Sequence, residues 1–174
     1  MLLCRRAVKL LLLSSLIFFS ACGYKPSSKY ARSVVGEKVS TSIVISSQDP
    51  ENTVVIKDAV DSAIIEVFHA SLVDKSYADT NLLFSISPPT YTPVQYDNNG
   101  FIIGYRATIM MRVERTTKES KRNYNSRGTY DFAVDPNAVI TDQDRFNAIK
   151  FSATKAIASF IAQVSAEGSR LSKE

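Results

Sequence analysis

The sequence predicts an α+β domain in which two amphipathic helices pack on one face of a four-stranded, mostly antiparallel sheet, in the order β-α-β-β-β-α. Several stretches alternate apolar and polar residues with a period of two, as half-buried strands do. Two longer stretches repeat apolar residues at three- and four-residue spacing, the mark of helices with one buried stripe. The strands follow one another with the helices outside the run, which puts both helices on the single apolar face of the sheet.

The first strand is read from Val39, Thr41, Ile43 and Ile45, which alternate with Lys38, Ser40 and Ser42. Asp49-Pro50 then opens a helix, with Asp as cap and Pro in the first turn, where its missing N–H costs nothing. Ile56, Val60, Ala63, Ile64, Val67 and Phe68 form its apolar stripe opposite Lys57, Asp58, Asp61 and Glu66, giving a helix of roughly 52 to 72. Leu82, Phe84 and Ile86 alternate until Pro88-Pro89, which cannot donate to a ladder and so marks an edge, a bulge or a break. Pairing resumes over 91 to 96, and Asn99-Gly100 supplies the positive φ angles of a tight hairpin. Phe101, Ile103, Tyr105, Ala107, Ile109, Met111 and Val113 then line the core face of a long strand, with Arg106, Thr108, Arg112 and Glu114 on its wet face. After a polar connection, "RTTKESKRNYNSR", the last strand carries Tyr124, Gly128, Tyr130, Phe132 and Val134 on one side. Thr141 or Asp142 caps a final helix, about 36 Å long at 1.5 Å per residue, whose stripe runs through Phe146, Ile149, Ala153, Ile157, Phe160, Ile161 and Val164 to a stop at Gly168.

The chain has 174 residues and opens with a basic tip of Arg5, Arg6 and Lys9 and an apolar run from Leu10 to Phe19, interrupted by Ser14 and Ser15. That run is shorter than the roughly 20 residues a membrane-spanning helix needs. It has the order of a secretory signal: basic residues, a short apolar core, then the small residues Ser20 and Ala21. Cys22 follows directly, and the junction resembles the lipobox of bacterial lipoproteins, departing from it at Phe19, where Leu, Ile or Val is usual. That resemblance implies N-acyl and S-diacylglycerol lipid on Cys22, enough acyl chains for stable anchoring. Gly23 in place of Asp after the Cys implies sorting to the outer membrane. The expected organisation is a signal peptide over 1–21, a lipidated Cys and tether over 22–37, one α+β domain over 38–170, and a tail over 171–174.

Processing changes the charge. Lys and Arg fall from 21 to 18 against 17 Asp and Glu, so the formal net charge drops from +4 to +1. Nucleic-acid binding, which needs a strong field of one sign, is not supported. The folded part keeps no cysteine, hence neither disulfide nor thiol nucleophile. The single histidine, His69, has no partnered nucleophile or second ligand, and the carboxylates lie on helix faces and at caps. Without a phosphate loop, a nucleophile elbow or a paired-His motif, no enzyme, metal or cofactor is expected.

One basic constellation stands out: Arg115, Lys118, Lys121, Arg122 and Arg127 against the single acid Glu119, with Tyr124 between them. Such groups hold phosphates and carboxylates, so this connection either binds the acidic head of a glycolipid or is a solvated charged loop. Arg106 and Arg112 share one strand face and extend it.

With a lipobox, "CGYKPSSKYA" and a domain that ends in "AIKFSATKAIASFIAQVSAEG", the chain resembles the LptE family of lipopolysaccharide-assembly lipoproteins over essentially its whole mature length. The resemblance implies a non-enzymatic lipoprotein, anchored through Cys22 in the periplasmic leaflet of the outer membrane. It also implies a plug in the large barrel LptD, which helps that barrel assemble and contacts lipopolysaccharide. The sheet face carrying Arg106 and Arg112 would meet the polar barrel interior. A periplasm-facing lipid carrier or transporter-accessory lipoprotein is the alternative; it needs a cavity, and Ile102 and Met110 on the polar face of the long strand keep it open.

Overall fold

The structure, a computed structural model, describes residues 27–44, 50–136 and 138–172. Cys22, Ile45 and the expected cap Asp49 lie outside the described residues. The elements are α1 (Ser27–Val35), β1 (Lys38–Ile43), α2 (Pro50–Glu66), β2 (Ser71–Leu72), β3 (Thr80–Ile86), β4 (Thr90–Tyr96), β5 (Ile102–Thr116), β6 (Lys121–Ala133) and α3 (Asp142–Leu171).

The sheet is mixed and has six strands among the described residues, not four mostly antiparallel ones. β5 is its spine. β6 pairs antiparallel along one edge of it, from Thr116↔Lys121 to Gly104↔Ala133. The other edge is shared: β3 takes Met111–Thr116 and β4 takes Ile102–Thr108, both antiparallel, so the two lie end to end. The Pro88-Pro89 pair explains the split, because four steps from Ile86 to Thr90 face three from Met111 to Thr108 and neither proline can donate. β1 runs parallel to β3, which the long crossover through α2 allows, and the two-residue β2 pairs parallel with β1.

Other expectations also shift. α2 ends at Glu66 rather than near 72; His69 takes φ +51 and turns the chain so that Ser71 and Leu72 join β1. At the hairpin tip only Gly100 has positive φ, at +84, and Asp97 bonds Phe101, leaving a three-residue loop instead of a two-residue turn centred on Asn99-Gly100. The carboxylate of Asp97 caps that loop by accepting from the N–H groups of Asn99 and Phe101. Most of the 115–127 stretch is strand, closed by a tight turn over Thr117–Ser120. Residues 27–35, expected within a tether, form α1, whose Ala31, Val34 and Val35 are buried because they fall on one side of a helix lying on α3. α3 runs through Gly168 to Leu171, about 45 Å, and begins at a capping box between Thr141 and Asp144.

All three helices cover one sheet face around a single core. Phe160 of α3 is its hub, meeting Phe68, Phe84 and Tyr124 edge to face at 6.2, 5.7 and 5.4 Å between ring centres. The small residues Ser152 and Ala156 bring α3 down onto β6. A Cβ on Gly128 would lie 1.8 Å from the Ser152 carbonyl oxygen and 2.6 Å from the Ala156 nitrogen. Backbone cannot yield as a side chain does, so Gly128→Ala should cost about 3 kcal/mol or more. Urea denaturation would register this as a lowered midpoint, and a midpoint within error of the parent would show that α3 can lift off β6 freely.

Candidate functional site

Two regions gather the polar chemistry: a buried cluster under α3 and the sheet face that no helix covers. Strand alternation assigns the basic residues between them. Arg115 continues the series Ala107, Ile109, Met111, Val113 and therefore points inward, where it is 7% exposed. It parts from the expected surface cluster. Its Nη1 donates to the Val34 carbonyl at 2.7 Å, and its Nη2 to Glu167 Oε1 at 3.2 Å. Among the described residues its Nε has no partner. Arg122 also reaches to the helix side, its Nη1 2.7 Å from Glu167 Oε1. The Tyr124 hydroxyl donates to Glu167 Oε2 at 2.6 Å, and the Arg115 guanidinium lies 6.0 Å from the centre of the Tyr124 ring.

Glu167 is thus a buried carboxylate held by two cations and a phenol, and it was not among the residues expected to matter. Burial alone would raise its pKa, but the hydrogen bonds from Arg122 and Tyr124 and the charge of Arg115 overcome that and hold it below the ordinary glutamate value. Burial first, then the bond to Glu167, pushes the Tyr124 phenol up. Arg122 is raised by its bond to Glu167.

The remaining basic residues stay outside. Lys118 is exposed in the turn, without an ion pair among the described residues. Lys121 pairs with Glu114 at 2.8 Å on the uncovered face, where Arg127 stands opposite Met110. Arg112 reaches Asn125 at 3.5 Å on the same face. Arg106 forms a two-pronged pair with Asp131, both bonds 2.7 Å, which raises the guanidinium and lowers the carboxylate. Leu83 and Met110, 40% and 48% exposed, and the paired Tyr96 and Ile102 at the far end of the strand add apolar surface to this side.

Other features are bland. His69 is exposed at its turn. Among the described residues no three His, Cys, Asp or Glu side chains form a metal-binding group, and no helix is long and apolar enough to cross a membrane. A hollow of about 310 Å³ between α2 and α3 has Ile56, Ala59 and Ala153 among its lining, with Asp58 and Lys150 beside them. A second, of about 390 Å³, lies by Val94, Gly104, Arg106 and Asp131.

A mixed sheet with helices on one face and the other left uncovered is a fold that this chain shares with a solved bacterial lipoprotein. The solved structure of rare lipoprotein B from Shewanella oneidensis superposes with a TM-score of 0.53 at 14% identity, covering 79% of this chain and 100% of that one. A putative lipoprotein from Caulobacter crescentus CB15 (13% identity, 86% and 98% covered, TM-score 0.47) and a minor lipoprotein from Acinetobacter baumannii (12%, 77% and 94%, TM-score 0.47) are also similar. The model of the LptE family, described as lipopolysaccharide-assembly, matches residues 40–164, and the chain belongs to that family. No curated protein matches the chain.

Removing the Glu167 charge leaves Arg115 buried without its acid. Glu167→Gln should cost about 3–5 kcal/mol, and adding Arg115→Met should recover much of it. A carboxylate whose pKa is lowered by folding stabilises fully above its unfolded value, ordinarily 4.5, and loses that contribution as pH falls through its folded pKa. Stability of the parent should therefore decline below about pH 4.5, with a shallower acid limb in Glu167→Gln. Parallel acid limbs in urea titrations of the two proteins would remove Glu167 from this role.

Proposed function

We propose that this chain is a non-enzymatic outer-membrane lipoprotein that seats in a large LptD-like β-barrel, assists its assembly and takes part in delivering lipopolysaccharide to the cell surface. Residues 1–21 are removed as a signal, and Cys22 carries the N-acyl and S-diacylglycerol anchor at the periplasmic leaflet. Membership of a lipopolysaccharide-assembly family is the observation that carries the reading. The uncovered sheet face supports it: Arg106, Arg112 and Arg127 lie among Thr and Asn side chains, a surface suited to a polar barrel lumen. Anchoring in the partner's membrane raises the effective concentration at which the two meet. The core filled by Phe68, Phe84 and Phe160, each nearly inaccessible, favours a plug over a carrier, which must hold lipid inside.

With Arg115 and Arg122 tied to the buried Glu167, contact with lipopolysaccharide rests on the exposed Lys118 and Arg127 and on Lys121, whose pair with Glu114 lies at the surface and can be exchanged. Replacing these three by Ala should weaken lipopolysaccharide binding several-fold and leave the urea midpoint unchanged, because all three side chains are exposed. Unaltered affinity would retire them as the contact. Affinity capture from mild-detergent extracts of outer membranes should bring down a near-stoichiometric large β-barrel. Inner-membrane transporter components in its place would favour the carrier.

A further inference from the structure

The end of the chain next to the anchor is not a free tether. α1 lies backbone to backbone on α3: a Cβ on Gly168 would stand 2.0 Å from the Tyr30 carbonyl oxygen and 3.1 Å from the Ser33 hydroxyl. Arg115 holds the other part of α1 through the Val34 carbonyl. Four residues, 23–26, separate Cys22 from Ser27, a span of at most about 18 Å. A tether running to residue 37 would reach about 55 Å and let the domain take any attitude.

Gly168 belongs to one end of the domain. Its neighbour Glu167 meets Arg122, two residues past the Thr117–Ser120 turn, so the start of α1, the last turn of α3 and the β5–β6 turn lie together. The β4–β5 loop lies at the other end of β5, on the order of 40 Å away at about 3.3 Å per residue. An acylated Cys22 reaches the first end and not the second.

We infer that α1 is a strap that fixes the attitude of the domain on the membrane before it is seated in a barrel, with the β5–β6 turn facing anionic phospholipid headgroups and the β4–β5 loop pointing away. The inference rests on the lipidation of Cys22. Charge complements the geometry: Arg32, Lys38, Lys118, Lys121 and Arg170 stand at this end against Glu37, Asp79, Glu114 and Glu119, and Arg115 and Arg122 together exceed the one charge of Glu167. Lysine and arginine side chains close to an anionic leaflet are drawn to it over roughly a Debye length.

Two matched variants test this in the acylated full mature chain, which carries no cysteine besides Cys22. Asn123→Cys lies beside the turn and Asn98→Cys in the β4–β5 loop, both exposed. Each is labelled with a fluorophore and reconstituted in vesicles of phosphatidylglycerol and phosphatidylcholine that carry a headgroup quencher. Quenching should be about threefold or more stronger at 123 than at 98, as a separation of some 40 Å demands. A flexible ten-residue Gly/Ser insertion between Pro26 and Ser27 should flatten that contrast without touching the folded domain. Vesicles of phosphatidylcholine alone should lower the signal at 123. Equal quenching at the natural length, or stronger quenching at 98, overturns the strap; a signal at 123 indifferent to phosphatidylglycerol overturns the headgroup contact. Failure of the labelled chain to float with the vesicles removes the anchor on which the inference rests, and flotation reports that separately from attitude.

Discussion

A carboxylate under a helix is tolerated only where its charge is answered on the spot, and Glu167 is the point at which this fold answers one. The groups that do so come from β5 and β6, while Glu167 itself belongs to α3, and Arg115 extends the network to the Val34 carbonyl of α1. Four elements are therefore registered on one another by charge as well as by apolar contact. Apolar packing alone would let α3 slide along the sheet; the Glu167 network and the Phe160 ring cluster, two turns apart on the same helix, fix its position at two points.

Such a network requires close approach, and small residues supply it. Gly128 and Ser152 bring α3 to β6, and Gly168 admits α1 to the last turn of the same helix. The penalty for a glycine inside a helix, about 1 kcal/mol against alanine, is offset here because a side chain at 168 would separate α1 from α3 and take the Val34 carbonyl away from Arg115. The glycine and the buried ion pair are two parts of one arrangement.

Much of this was legible in residue spacing. The alternation from Phe101 to Val113 puts Arg115 on the core face two residues later, and a stripe running through Phe160 and Val164 reaches Glu167 at the next helical step. An acid and a base falling where apolar residues belong are a sequence-level sign of a buried pair. Reading 115–127 as one basic patch concealed it, because that reading counted charge along the chain without assigning faces. The Pro88-Pro89 break was visible, since a missing donor is a local property. β2 was not, since two residues have no period, and their pairing depends on where His69 turns the chain. α1 carries Ala31, Val34 and Val35 at helical spacing, but nine residues amid serines and lysine nucleate poorly alone, and its helix depends on α3 for support. Gly168 looked like a helix stop for the same reason: the partner that makes it a packing residue lies more than 130 positions earlier in the chain.

The distribution of work between the two sheet faces bears on function. Every helix is on one face, and that face is filled by its own core, so the sheet itself can offer a partner only its other face or the ends of its strands. The open face carries its own cross-strand pairs, Arg106 with Asp131 and Lys121 with Glu114, which satisfy those charges before any partner arrives. A surface prepared in this way can enter a wet, polar enclosure without stranding charges, whereas an apolar face would demand a continuous apolar partner. That supports the proposed subunit lodged in a protein lumen over a carrier that must strip lipid from water. The same reasoning explains why the buried charge sits under α3 and not on the open face: there it locks the frame, and the frame leaves the other side of the sheet free for binding.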